Sequence, residues 1–125
     1  MTTFSPPPTT THQIGSDAES VARYFLEQQG LTLVSANYRT KVGEIDLIMR
    51  EGAHLVFVEV RYRRSSAYGG AIATITASKQ RKLTATAQYY LQTHYQNRPP
   101  PCRFDVVAIL QQYPTSKIDW IKNAF

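Results

Sequence analysis

Two β-rich runs, Glu44-Ile45-Asp46-Leu47-Ile48-Met49 and Leu55-Val56-Phe57-Val58-Glu59-Val60, are joined by Glu51-Gly52-Ala53-His54, a hairpin-length connection that contains glycine. Such a pair is expected to lie side by side and antiparallel. Both runs are apolar enough to read as largely buried, which calls for cover on both faces of the sheet. The carboxylates inside them are then the anomaly, because an ionised group in an apolar setting costs several kcal/mol (roughly) unless something compensates it.

The flanking segments supply the cover. Ser16-Asp17-Ala18-Glu19 matches a capping box, and Ala18, Val21, Ala22, Phe25 and Leu26 recur with helical spacing, so a helix is expected from Ser16 to Gly30. Leu31 to Asn37 read as a short strand and Thr40 to Gly43 as a turn. A second helix is expected from about Ala77 to about Tyr95, with Thr76 as its cap and Leu83, Ala87, Tyr90 and Leu91 on its apolar face. Asn97-Arg98-Pro99-Pro100-Pro101 stops it. Phe104 to Leu110 and Lys117 to Lys122 read as strands around a turn at Tyr113-Pro114-Thr115-Ser116. The fold class is α/β, in the order αβββαβ with an extra C-terminal strand. A right-handed crossover through the second helix would set the strand at Phe104 parallel to that at Leu55, giving one mixed sheet flanked by helices.

Residues 1–13 hold three consecutive prolines and one large apolar residue, Phe4, and are expected to be a disordered tail. Residues 14–125 make one domain, which a chain of 125 residues with 42% apolar content can support with a buried core. Arg63 to Ile75 are small, polar and basic, with Gly69-Gly70 at the centre, and read as a long loop. The single cysteine, Cys102, excludes a disulfide scaffold and points to a reducing, cytoplasmic setting. No run approaches the roughly 18 apolar residues of a membrane span, and the N-terminus lacks the layout of a secretory signal.

Charge is unevenly placed. Between Val60 and Arg103 lie eight basic residues and no acidic one, which leaves six bases against nine acids elsewhere. A basic stretch of this kind suits a polyanion, and the carboxylates elsewhere suit a cation. With Gly52-Ala53 as the hairpin loop, Asp46 falls opposite Glu59 and both point the same way. Two arrangements fit that pair. In one, a divalent ion such as Mg²⁺ offsets both carboxylates. In the other, Asp46 pairs with Arg61 and Glu59 with another base. A three-residue loop would instead put the two acids on opposite faces.

Gly43-Glu44-Ile45-Asp46-Leu47-Ile48, Phe57-Val58-Glu59-Val60-Arg61-Tyr62-Arg63, Ser78-Lys79-Gln80 and Arg103-Phe104-Asp105-Val106-Val107, in this order, resemble the YraN family of small bacterial proteins. That family is assigned to the restriction-endonuclease-like superfamily with the PD-(D/E)xK motif, near the archaeal Holliday-junction resolvases, and its members are described as predicted endonucleases. The resemblance runs from about Gly15 to about Phe125. It implies a restriction-endonuclease-like core in which Asp46 and Glu59 hold Mg²⁺ (or Mn²⁺), with the Val60 main-chain carbonyl as a further ligand. Glu19 matches the acidic residue of the first helix that faces the metal in the resolvase branch. A capping role toward Ser16 explains the same residue equally well.

Arg61 stands where the motif has lysine. A guanidinium stays charged and cannot act as a base, although it can orient a water or stabilise charge on a phosphate. Lys79 and Gln80 lie one turn before Leu83, and are either surface residues of a first helical turn or contacts to the phosphate or the water. Arg63, Arg64, Lys79, Arg81 and Lys82 suit phosphate positioning, and Tyr62 and Tyr68 suit either base stacking or packing. The pair Arg103 and Asp105 reads as structural. The implied activity is a metal-dependent endonuclease on DNA, branched or structured DNA included, with Asp46, Glu59, Arg61 and Gln80 as the catalytic set. A nucleic-acid-binding module without turnover is the alternative, and a domain that meets an acidic protein partner is a third. Junction resolvases act as dimers, so a homodimer follows by analogy.

Overall fold

The computed structural model describes residues 2–4, 14–63, 75–96, 98–111 and 116–125. The elements are β1 (Thr2–Phe4), α1 (Ile14–Gln28), β2 (Thr32–Arg39), β3 (Glu44–Glu51), β4 (His54–Arg63), α2 (Ala77–Tyr95), β5 (Cys102–Gln111) and β6 (Ser116–Ile121). They build a six-stranded sheet in the order β1-β6-β5-β4-β3-β2. Only β4 and β5 run parallel, joined through α2, and every other neighbouring pair is antiparallel. The α/β fold with an αβββαβ core and a further C-terminal strand is the one expected from the sequence. Among the described residues no helix is long and apolar enough to cross a membrane.

Two apolar layers hold the sheet between the helices. Ala18, Val21, Ala22, Phe25 and Leu26, at the spacing of one helical face, pack with Leu47, Met49, Val56, Val58, Val107 and Ile109 beneath α1. On the other face Leu83, Ala87 and Tyr90 of α2 pack with Ile45, Ile48, Leu55, Phe57 and Val106. Phe57 is among the largest fully buried side chains. Its ring meets Tyr90 edge-on at 6.2 Å and Phe104 at 5.3 Å. Truncating such a residue costs roughly 3–5 kcal/mol.

The helix ends follow their local chemistry. Gly30 takes φ +99 after α1, where the Leu31 N–H donates to the Leu26 carbonyl at 3.0 Å and closes the helix. Thr76 caps α2 by accepting the Lys79 N–H at 3.1 Å. The β3–β4 connection is the two-residue loop Gly52-Ala53, with Glu51 opposite His54 and Gly52 at φ +58.

Three expectations shift. Thr2–Phe4 fall in the segment expected to be a disordered tail, yet they pair with Ser116, Lys117 and Ile118 of β6. Without them β6 would present a row of free N–H and C=O groups at the sheet edge, and a short β-prone Thr-Thr-Phe segment satisfies that edge. Helix α1 begins at Ile14 rather than Ser16. Strand β2 continues past Asn37 to Arg39. The expected loop, including Arg64, Tyr68 and Gly69-Gly70, and the turn at Tyr113-Pro114 lie outside the described residues.

Candidate functional site

Strict alternation along β3 would put Ile45, Leu47 and Met49 on one face and Asp46 and Ile48 on the other. Instead Leu47 and Met49 lie beneath α1, whereas Ile45 and Ile48 lie beneath α2. The alternation breaks at Asp46. Register with β4 runs only as far as Leu47 opposite Val58; β2 keeps its register past this point, with Ala36 opposite Leu47 and Tyr38 opposite Ile45, and Asn37 between them sits at φ 54. Where the ladder ends, Asp46 Oδ2 accepts the Val60 N–H at 2.9 Å. The side chain thereby stands in for a main-chain acceptor.

The break lets one carboxylate meet acids from both sides of the sheet. Carboxylate oxygens of Glu19 on α1, Glu44 at the start of β3 and Asp46 all lie within 4.8 Å of one another. Burial pushes the Glu19 carboxyl above its ordinary range, the Asp46 carboxylate adds to the rise, and a hydrogen bond with Asn37 opposes it. Glu44 is also paired with Arg39. Oxygen donors alone, three of them convergent, are the ligand chemistry of a hard divalent cation such as Mg²⁺ or Mn²⁺, and the residues fit such an ion.

Glu59 comes from the α2 side, two residues beyond Phe57, and is only 5% exposed. Its Oε2 lies 3.1 Å from the Arg61 guanidinium and 3.3 Å from Lys79 Nζ. Burial raises the Glu59 carboxyl most, the Asp46 carboxylate adds to that, and Lys79 and Arg61 pull it back, leaving it at about 7. Arg61 Nε is buried with no partner among the described residues.

The expected residues therefore divide. Asp46 lies at the junction of two groups: it converges with Glu19 and Glu44, and it neighbours Glu59, which is not in that convergent set and is paired with Arg61 and Lys79. Asp46 does not pair with Arg61; both cations go to Glu59, and Asp46 takes the Val60 N–H. Lys79 lies in the exposed first turn of α2, yet its ammonium reaches Glu59 on β4. Gln80 donates instead to the Ile75 carbonyl at 3.2 Å, at the start of α2. Arg63 ends β4 half-buried, and Arg81 and Lys82 stand exposed on α2. Tyr62 packs against the α1 layer with its hydroxyl on Gln111. Glu44 is the residue missed by sequence reasoning. Its position two before Asp46 was the available signal, but strict alternation gave no reason to bring Glu19 to that face.

Elsewhere, Asp105 is 1% exposed and accepts from Arg103, from Trp120 Nε1 at 2.9 Å and from the Asn123 N–H at 3.0 Å. Arg103 also reaches Glu51 at 2.7 Å. This network ties β5 to β6 and to the hairpin, in keeping with a structural role. Cys102 is an exposed residue whose thiol is partly desolvated, which raises its pKa and works against a nucleophile.

Comparison with known proteins places relatives around these residues. Residues 18–109 match the model of the uncharacterised protein family UPF0102. A UPF0102 protein of Nitrosomonas europaea is 55% identical over 111 residues, covering 89% of this chain and 92% of the relative. The UPF0102 protein YraN of Escherichia coli is 51% identical over 122 residues, covering 97% of this chain and 90% of its own. A UPF0102 protein of Methylobacillus flagellatus is 47% identical over 113 residues, with 90% and 96% covered. The matched segment takes in every residue of the carboxylate cluster and the three cations paired with it and with Glu59, and the chain belongs to the UPF0102 (YraN) family.

Proposed function

We propose that the chain is a divalent-cation-dependent endonuclease that hydrolyses DNA phosphodiester bonds, with branched or structured DNA as its substrate class. The observation that carries this reading is the convergence of Glu19, Glu44 and Asp46 within 4.8 Å beside a buried Glu59 that is bracketed by Arg61 and Lys79. Asp46 and its neighbours would hold Mg²⁺ or Mn²⁺. The ion supplies Lewis acidity toward a phosphoryl oxygen and a more acidic water.

The chain's own residues do the rest. Glu59 is positioned by two cations, and Arg61 cannot take a proton. Lys79 brings to the same carboxylate the primary amine that the motif would draw from the strand, so orientation of the attacking water falls to Lys79 with Arg61. Arg63, Arg81 and Lys82 contribute backbone attraction with little sequence preference. The cytoplasm offers both DNA and Mg²⁺, and a junction with two related strands would call for two copies of the chain.

Incubation with branched, single-stranded and duplex DNA in Mg²⁺, Mn²⁺ or EDTA tests the reading. Products that need the metal and vanish in Asp46→Ala and Glu59→Ala are expected. The always-charged Arg61 favours a second reading, a binding module without turnover. Intact DNA that shifts in a gel at low salt, with no products in either metal, would select it.

A further inference from the structure

The outer surface of α2 has features that the carboxylate cluster does not use. A groove of about 600 Å³ lies between the β2–β3 turn and α2, lined by Arg39, Thr40, Lys41, Val42, Ala85 and Tyr89. A second, shallower one of about 370 Å³, which includes Gln80, Arg81 and Gln88, meets it at Ala85. Neither is lined by a carboxylate, and α2 contains none along its whole length. Tyr89 is 57% exposed and Val42 51%. The next residue, Tyr90, is buried in the core, so helical geometry turns Tyr89 outward.

The groove wall is fixed. At Gly43 a Cβ would come within 2.9 Å of Thr86 Oγ1, so only glycine lets the turn sit this close to α2. Thr40 Oγ1 accepts the Val42 N–H at 3.2 Å and the Thr40 N–H donates to the Gly43 carbonyl at 2.8 Å. Arg39 is the ion-pair partner of Glu44, which joins the groove directly to the carboxylates.

We infer that these two grooves form a track for an unpaired nucleic-acid strand, with a base stacked on Tyr89 and phosphates held by Arg39, Lys41 and Arg81. The inference rests on the reading of the carboxylate cluster as a nucleic-acid site. An acidic peptide would satisfy the cations but leave the Tyr89 ring without a planar partner. A duplex offers phosphates while its bases remain stacked on one another. An unpaired strand supplies both a π-face and charge, the pairing that single-strand sites use. A small residue where the grooves meet, Ala85, leaves the passage between them open.

Fluorescence anisotropy with a labelled oligothymidylate, at low ionic strength and without divalent cation, tests this. Tyr89→Ala is expected to weaken binding about tenfold while Tyr89→Phe keeps it. A duplex of the same length should bind both variants as it binds the unaltered chain. Lys41→Ala should reduce the salt slope by about 0.7. Equal affinity of Tyr89→Ala and the unaltered chain for the oligonucleotide overturns the track, and so does absence of oligonucleotide binding. A polyglutamate that loses as much affinity on Tyr89→Ala overturns it in favour of an acidic protein partner. Tyr89-dependent binding without cleavage would leave the track standing and sink the nuclease reading; metal-dependent cleavage with Tyr89-independent binding would do the reverse.

Discussion

Asp46 takes the main-chain N–H of Val60 at 2.9 Å at the point where the β3–β4 ladder gives out. One side chain thus completes the sheet and anchors the acidic cluster. The two duties respond differently to substitution, because a neutral carboxamide still accepts a hydrogen bond but adds no charge for a cation.

Asp46→Asn is therefore expected to stay within about 1 kcal/mol of the unaltered chain in thermal or urea unfolding. Asp46→Ala should cost about 1–3 kcal/mol by leaving the Val60 N–H without its acceptor. If the cluster holds Mg²⁺ or Mn²⁺ as proposed, both variants should abolish the stabilisation expected on adding the ion. Equal unfolding curves for the two variants would show that the hydrogen bond does not stabilise the fold.

Glu59 gives a pH signature. Its carboxyl rises from 4.5 to about 7 in the fold, chiefly through burial and then through Asp46. Below pH 4.5 the group is protonated in both folded and unfolded chains and exacts no penalty. As pH climbs toward 7 the unfolded chain ionises first, so stability falls, by up to about 3 kcal/mol from this group. The difference in unfolding free energy between Glu59→Gln and the unaltered chain should shift across that window and be flat outside it. Mg²⁺ should recover stability at pH 8 more than at pH 5.

Lys79 separates positioning from packing. Its side chain is 41% exposed, so Lys79→Ala should change stability by less than about 1 kcal/mol. Single-turnover cleavage, if the proposed reaction is correct, should drop about 10²-fold. Arg61→Lys, which restores the motif amine on the strand, is expected to raise the rate and to make it less dependent on Lys79.

Gly43→Ala tests the seat of the β2–β3 turn. The added Cβ meets Thr86 Oγ1 at 2.9 Å, and the overpacking should cost about 1–3 kcal/mol. Combining it with Thr86→Ala removes the clashing oxygen. Unfolding of the double variant should show recovery relative to the sum of the singles; simple additivity would mean that the clash is relieved some other way.

Much of this architecture was legible because it depends on local chemistry. The glycine-containing connection marked the hairpin but left its register open between a two-residue and a three-residue loop; the two-residue loop Gly52-Ala53 is the one that forms, and Asp46 comes to neighbour Glu59 just beyond the end of the ladder. Thr76 and the Pro99-Pro100-Pro101 run bounded α2, and the stripe through Phe25 and Leu26 marked the buried face of α1. What sequence could not supply depended on tertiary geometry. The break in alternation at Asp46 arises from packing on both faces, so Glu44 and Glu19 were not brought together in advance. Helix α1 starts two residues before Ser16, and Glu19 lies with Glu44 and Asp46. Lys79 reaches Glu59 only because α2 lies across that strand, and β1 forms only because β6 leaves an edge to cover.

The flaw in β3 has a mechanical consequence. A regular strand insulates its two sides, so that an event under one helix is felt weakly beneath the other. Asp46 shares its carboxylate with Glu19 from the α1 side and with Glu59, held by Lys79, from the α2 side. Occupancy of that position would act as a rivet through the sheet, and its arrival should slow amide exchange in the first turns of both helices together.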